Sequence, residues 1–275
     1  MSPAPILTRR STRLLAIGVL AGGFSALFGV GGGTVMVPLL LLLPGFDERR
    51  ATAASLLAIV LMAAAGAALQ SGHGHLQAGP ALLVGVPAVA GALLGTALQQ
   101  RIPTRAISLA FAGLLVAVAV WLLTGAEPTT AGGSPSATAY VAAGAIGVLA
   151  GALSGLVGVG GGSIFVPTLV LLLGLAPVEA AATSLLAIVP VSLAGALAQR
   201  RYGNLDVSAG LLLGLGALPG VVAGVALVNA LPARTVQVLF ALLLLFTAVQ
   251  LTRRVRRRQR AAAPESIDFR SEIRI

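Results

Sequence analysis

The chain has no cysteine and no lysine, and charged residues fill only 9% of its 275 positions. Without cysteine there are no disulfides, no thiolate metal site and no redox chemistry at sulfur. So little charge excludes an ordinary soluble domain, where about a quarter of the residues are charged. The eight acidic residues fall in loops, near the ends of apolar runs or in the C-terminal tail. A proton relay or cation site in a membrane would keep a carboxylate deep in a span. Its absence argues against a cation pump or a carboxylate-based antiporter. His73 and His75, in SGHGHLQ, have no histidine counterparts elsewhere and read as a solvated loop. Neither a metal nor a cofactor is expected.

What remains is apolar. Hydrophobic residues make up 57% of the chain and mean hydropathy is +0.99. Several runs reach the roughly 20 residues that a bilayer core of about 30 Å demands of a helix. They are continuous rather than alternating, which excludes a β-barrel. The fold class is therefore an all-α polytopic membrane protein. The net charge of +10 comes from arginine clusters such as RRSTR (9–13) and RRVRRRQR (253–260). Flanking apolar runs, these read as cytoplasmic anchors on anionic lipid rather than as a nucleic-acid surface. The N-terminal TRRSTRLLAIGVLAG has the pattern of a signal peptide. Its apolar part is matched later in the chain, so it reads as a retained part of the fold.

That match is a repeat at an offset of 129 residues. VLAGGFSALFGVGGG (19–33) lies over VLAGALSGLVGVGGG (148–162), and SLLAIV recurs at 55–60 and 184–189. Ser25 falls on Ser154, Pro38 on Pro167 and Gln70 on Gln199. An Ala/Leu-rich background would not align those polar and proline positions at one offset. The organisation follows: a basic segment 1–13, repeat 1 over 14–124, a linker 125–139, repeat 2 over 140–252 and a polar tail 253–275. The tail is expected to be disordered or to lie on the membrane surface. Duplication on this scale is the architecture of secondary transporters, with the substrate site at the repeat interface.

Each half holds a glycine-broken segment (14–44 and 140–173), then three plain spans: 49–70, 79–99 and 105–124, matched by 178–199, 207–228 and 234–252. If each broken segment crossed once, Arg49, Arg50, Arg101 and Arg105 would lie outside, against the positive-inside rule. If it turns back as a hairpin, those four arginines join both termini, Arg200 and Arg201 in the cytoplasm. The hairpin gives an odd number of full crossings per half. About eight segments and two inverted halves related by a pseudo-twofold are expected.

The broken stretches are FGVGGGTVMVP (28–38) and VGVGGGSIFVP (157–167). Neither fits a phosphate-binding P-loop or G-x-G-x-x-G. Irregular backbone within a membrane is tolerated where it is buried in protein or lines a wet cavity. A helix resuming at Thr34 or Ser163 would aim its N-terminus there, with the hydroxyl as cap and free N–H groups for an anion. The candidate substrate-binding residues are Ser25, Gly29, Gly31, Gly32, Gly33, Thr34, Ser55 and Gln70. In the second half they are Ser154, Gly158, Gly160, Gly161, Gly162, Ser163, Thr183, Ser184 and Gln199. The serines could equally bond back to their own helix, and the glutamines, at span ends, could be interfacial.

The two F/V-G-V-G-G-G-x-x-x-V-P elements, each followed by A-x-x-[AT]-S-L, resemble the TauE/SafE family, the sulfite exporter or toluene-sulfonate uptake permeases. The likeness runs from about Val19 to Leu251. It implies transport of sulfite or an organosulfonate across the bacterial inner membrane, by a multi-pass protein that is not an enzyme. The family's glycine elements fall on Gly29 and Gly31–Gly33, and on Gly158 and Gly160–Gly162. Related thiosulfate transporters use membrane cysteines, which this chain lacks. The expected partners are a small anion and the lipid bilayer. A coupling proton or sodium ion and a homodimer stay open, as do a passive anion channel and a non-sulfur organic anion.

Overall fold

The computed structural model describes residues 9–101 and 136–262, together with most positions of 112–124. Helices α1 (Arg9–Phe28), α2 (Gly33–Leu40), α3 (Glu48–Ser71) and α4 (Ala78–Gln99) form the first half. Helices α5 (Ala137–Val157), α6 (Gly162–Leu173), α7 (Pro177–Arg201), α8 (Val207–Ala230) and α9 (Ala233–Ala262) form the second. No strand occurs among the described residues. Six helices, α1, α3, α4, α5, α7 and α8, are long and apolar enough to cross a membrane. The described positions of 112–124 are helical and bury Ala112, Leu115 and Ala119, the spacing of one helix face. The remainder of that expected span, and the linker up to 135, lie outside the described residues. In the basic tail, α9 continues as helix through Arg253 to Ala262, and residues 263–275 lie outside the described residues.

Local chemistry sets the helix ends. Asp47 accepts from the Arg50 N–H to cap α3, Asp206 from Ala209 to cap α8, and Ser136 from Ala139 to cap α5. Glu179 accepts from the Ala176 N–H at the start of α7. Helix α6 stops at Gly174, whose left-handed backbone lets the Leu175 N–H reach back to the Leu169 carbonyl.

Glycine seams hold the bundle together and reveal its directions. At Gly18 and Gly22 of α1, an added Cβ would overlap backbone of α8 at Leu213 and Ala217; at Gly220 it would overlap Val19. Gly91 and Gly95 of α4 lie in the same way on Val148 and Ala152 of α5, and Gly151 lies on Ala88. Small residues permit this approach of backbones, which is how membrane helices gain packing energy without a hydrophobic effect between them. In both seams the numbering rises together, so α1 runs with α8 and α4 with α5. Gly210 and Gly214 of α8 meet Leu57 and Leu61, so α3 shares that direction too. By contrast Gly66 meets Leu185 while Gly195 meets Leu56, so α3 and α7 are antiparallel.

Since α1 and α3 point the same way, the chain must turn back between them. Helix α2, with eight residues, is only about 12 Å long and cannot cross a bilayer core. Arg10, near the start of α1, has its guanidinium 5.4 Å from the ring centre of Phe46, just before α3. It also pairs with Asp206 ahead of α8 at 2.9 Å. The starts of α1, α3 and α8 therefore share one end of the bundle.

Candidate functional site

The two glycine elements meet in the middle of the molecule. Ile59 and Ile188, each the twelfth residue of its helix, stand beside both of them. A Cβ on Gly31 would sit 3.3 Å from the Val159 carbonyl oxygen and 3.4 Å from both isoleucines. A Cβ on Gly160 would meet the same pair at 3.2 and 3.3 Å. One at Gly33 would overlap the Gly158 carbonyl oxygen, and one at Gly162 would overlap that of Gly29. The loops are thus in direct backbone contact, with no space for an anion in the plane where they touch.

Each loop is tied to the opposite half by a serine. Ser184 Oγ lies 2.6 Å from the Gly29 carbonyl oxygen, and Ser55 Oγ lies 2.9 Å from that of Gly158. The same hydroxyls also reach back one turn, to Ala181 at 2.8 Å and Thr52 at 2.9 Å. Ser55 and Ser184 thus bond back to their own helix, as one reading expected, and the same hydroxyls also reach the opposite loop. Removing either hydroxyl leaves a loop carbonyl without its donor at a buried position. Ser55→Ala and Ser184→Ala are each expected to cost about 1–3 kcal/mol, read as a lower melting temperature in detergent. Thr183 is also structural: its Oγ1 accepts from the Gln77 N–H at the head of α4, 3.1 Å away.

The hydroxyls expected as caps are placed differently. Helices α2 and α6 begin at Gly33 and Gly162, with Gly32 and Gly161 in left-handed geometry at the N-cap position and no side-chain cap. Thr34 and Ser163 are the second residues of their helices. Glycine, able to adopt φ of 68° and 86°, takes the cap position that the hydroxyl residues were expected to fill. This leaves Thr34 and Ser163 uncommitted. Both are buried and neither hydroxyl has a partner in the protein. Ser25 and Ser154, buried near the C-terminal ends of α1 and α5, are likewise unpartnered. In a helix the Cα–Cβ bond tilts toward the N-terminus, so Thr34 and Ser163 lean toward the first-turn N–H groups that have no intrahelical acceptor.

The two glutamines do not face outward. Gln70 and Gln199 are both fully buried. Each stands eleven residues beyond its central isoleucine, about 16 Å along the helix, and so outside the contact of the two loops. Gln199 belongs to a chain of amides that sequence reasoning missed. Asn204 donates to Gln199 Oε1 at 2.7 Å, and Gln199 Nε2 donates to Gln99 Oε1 at 2.6 Å. Gln99 Nε2 in turn donates to the Leu156 carbonyl at 2.6 Å. Thr52 Oγ1 lies 3.3 Å from the Val157 carbonyl, so the lead into the second loop is held twice. No metal-binding group of three or more His, Cys, Asp or Glu occurs among the described residues.

The family model described as sulfite exporter TauE/SafE matches residues 2–124 and 143–272. No curated protein and no solved structure matches the chain.

Proposed function

The chain belongs to the TauE/SafE sulfite exporter family, and from that premise we propose a secondary transporter of sulfite or an organosulfonate working by alternating access. The observation that carries the reading is the set of buried, unpartnered hydroxyls at the two broken helices: Ser25 with Thr34, and Ser154 with Ser163. Sulfite and sulfonate oxygens only accept hydrogen bonds. Hydroxyl donors, first-turn N–H groups and the positive end of a helix dipole suit them without a fixed cation. The backbones of Gly31, Gly32 and Gly160–Gly162 would supply the N–H groups, since the Gly33 N–H is turned to the Gly31 carbonyl 2.9 Å away. With the loops touching, the anion would sit against the helix N-termini beside the contact, and the loops would part or slide as it passes.

Two inverted repeats, over 14–124 and 140–252, fit this mechanism. They are supported by the antiparallel course of α3 and α7 and by the exchange of seams, α1 with α8 and α5 with α4. The end carrying Arg9, Arg10, Arg49, Arg50, Arg101, Arg200 and Arg201 would face the cytoplasm of a bacterial cell, together with both termini. The protein would then act as a carrier and not as an enzyme, in a multi-pass inner-membrane setting.

Counterflow tests it. Proteoliposomes loaded with unlabelled sulfite should transiently accumulate labelled sulfite above its equilibrium level. An organosulfonate such as sulfoacetate or taurine should be tried in the same format. Passive equilibration without overshoot would identify a channel. Absence of any flux with all of these anions would sink the transport reading.

A further inference from the structure

Gln70 and Gln199 match across the repeat, yet their surroundings do not. Gln199 is fully engaged: its Nε2 donates to Gln99, and its Oε1 accepts from Asn204. Gln70 has one partner. Asn229 Nδ2 lies 3.3 Å from Gln70 Oε1 and 2.9 Å from the Val225 carbonyl oxygen. That carbonyl fixes the Asn229 amide, because only the nitrogen can face it. The Gln70 atom facing the same nitrogen must then be its oxygen. Its Nε2 is consequently turned elsewhere, buried and without a partner in the protein.

The difference continues into the loops. Thr52 and Gln99, which hold the approach to the second loop, correspond to Ala181 and Val228, neither of which can donate a side-chain hydrogen bond. The first loop therefore keeps the serine tie from Ser184 and lacks the further tethers of the second. Gln70 lies about 16 Å past the loop contact, at the end of α3 toward which α1 and α8 also run. This is the end of the bundle opposite the arginine-rich one.

We propose that Gln70 Nε2 donates a hydrogen bond to the anion as it passes the first glycine loop, and that Gln199 is a structural residue that never touches it. The assignment rests on the transport reading above and adds a division of labour between the repeats. The second loop is an anchored post, and the first is the side that responds to the ligand. A buried amide donor spends no internal hydrogen bond when it meets an oxyanion, so the anion gains a contact at no cost to the fold.

The test compares Gln70→Met with Gln199→Met, since Met keeps the length of glutamine, packs flexibly and cannot donate. Gln70→Met gives up only the long bond from Asn229, 3.3 Å, and is expected to melt close to the wild type and clearly above Gln199→Met. The sulfite concentration for half-maximal uptake into proteoliposomes should rise roughly tenfold, the size of one hydrogen bond to a charged group. Gln199→Met is expected to melt at lower temperature, with the sulfite dependence of the surviving protein unchanged. A fall in melting temperature for Gln70→Met as large as for Gln199→Met would make Gln70 structural and overturn the assignment. So would an unaltered sulfite dependence in Gln70→Met while the wild type transports normally. A wild-type protein that moves neither sulfite nor a sulfonate would instead overturn the transport reading, and this assignment with it.

Discussion

Gly31→Leu and Gly160→Leu are expected to insert into the membrane and to transport nothing. Both positions carry a backbone φ that side chains avoid, 84° and 88°, at about 1–2 kcal/mol for a non-glycine residue. The added side chain must also enter a space already shared by Ile59, Ile188 and the opposite loop. Overpacking of that kind costs about 1–3 kcal/mol more. The sum is below the stability of a typical domain, so the bundle survives while its centre is displaced. Gly33→Ala separates the two causes. Gly33 has no positive φ, yet its Cβ would strike the Gly158 carbonyl. Loss of transport in Gly33→Ala would show that loop contact matters in itself. Full activity in all three variants, measured by counterflow, would remove the loops from the transport path.

The second large effect is expected at the seams, and it is a loss of protein rather than of activity. In Gly151→Val the new Cβ would overlap the Ala88 carbonyl, a backbone atom that no rotamer change can move aside. Helices α4 and α5 would have to separate along their whole length, giving up the approaches at Gly91, Gly95, Gly147 and Gly155 as well. The expected result is little or no monodisperse protein in detergent. Gly220→Val, which strikes Val19 across the other seam, should behave alike. Gly144→Ala is the control on the same helix as Gly151. Its nearest neighbours would be the Leu83 carbonyl at 3.8 Å and Pro87 at 3.9 Å, ordinary contacts. Normal yield from Gly151→Val would mean that the helices pack less closely than described.

The sequence made the repeat, the broken helices and the need for a chain reversal legible, because each leaves a periodic or electrostatic trace. Glycine clusters recur at a fixed offset, and arginines mark one end of the bundle. Other features left no such trace. Thr34 and Ser163 looked like caps because hydroxyl residues usually are, and only the left-handed backbone at Gly32 and Gly161 shows the cap position already taken. The amide chain was missed for a different reason. Thr52, Gln99 and Asn204 have no polar match at the repeat offset except His75 opposite Asn204, so a search for paired residues passes over them. Matched residues reveal the shared scaffold, while the departures from the match mark where the halves diverge.

The exchange of seams bears on how the protein is made. Helix α1 finds its main partner in α8, whose first residue follows its own last residue by 179 positions (207 less 28). A ribosome that has delivered only the first half has therefore left the small-residue face of α1 uncovered. Domains often fold as units during synthesis, N-terminal first, but here neither half is such a unit. Helix α5 is served sooner, because α4 is already in place when it emerges. Assembly of the second hairpin thus precedes that of the first, and the earliest segment to enter the membrane is among the last to be packed. Until Val207–Ala230 arrives, the face of α1 that carries Gly18 and Gly22 has only lipid to pack against.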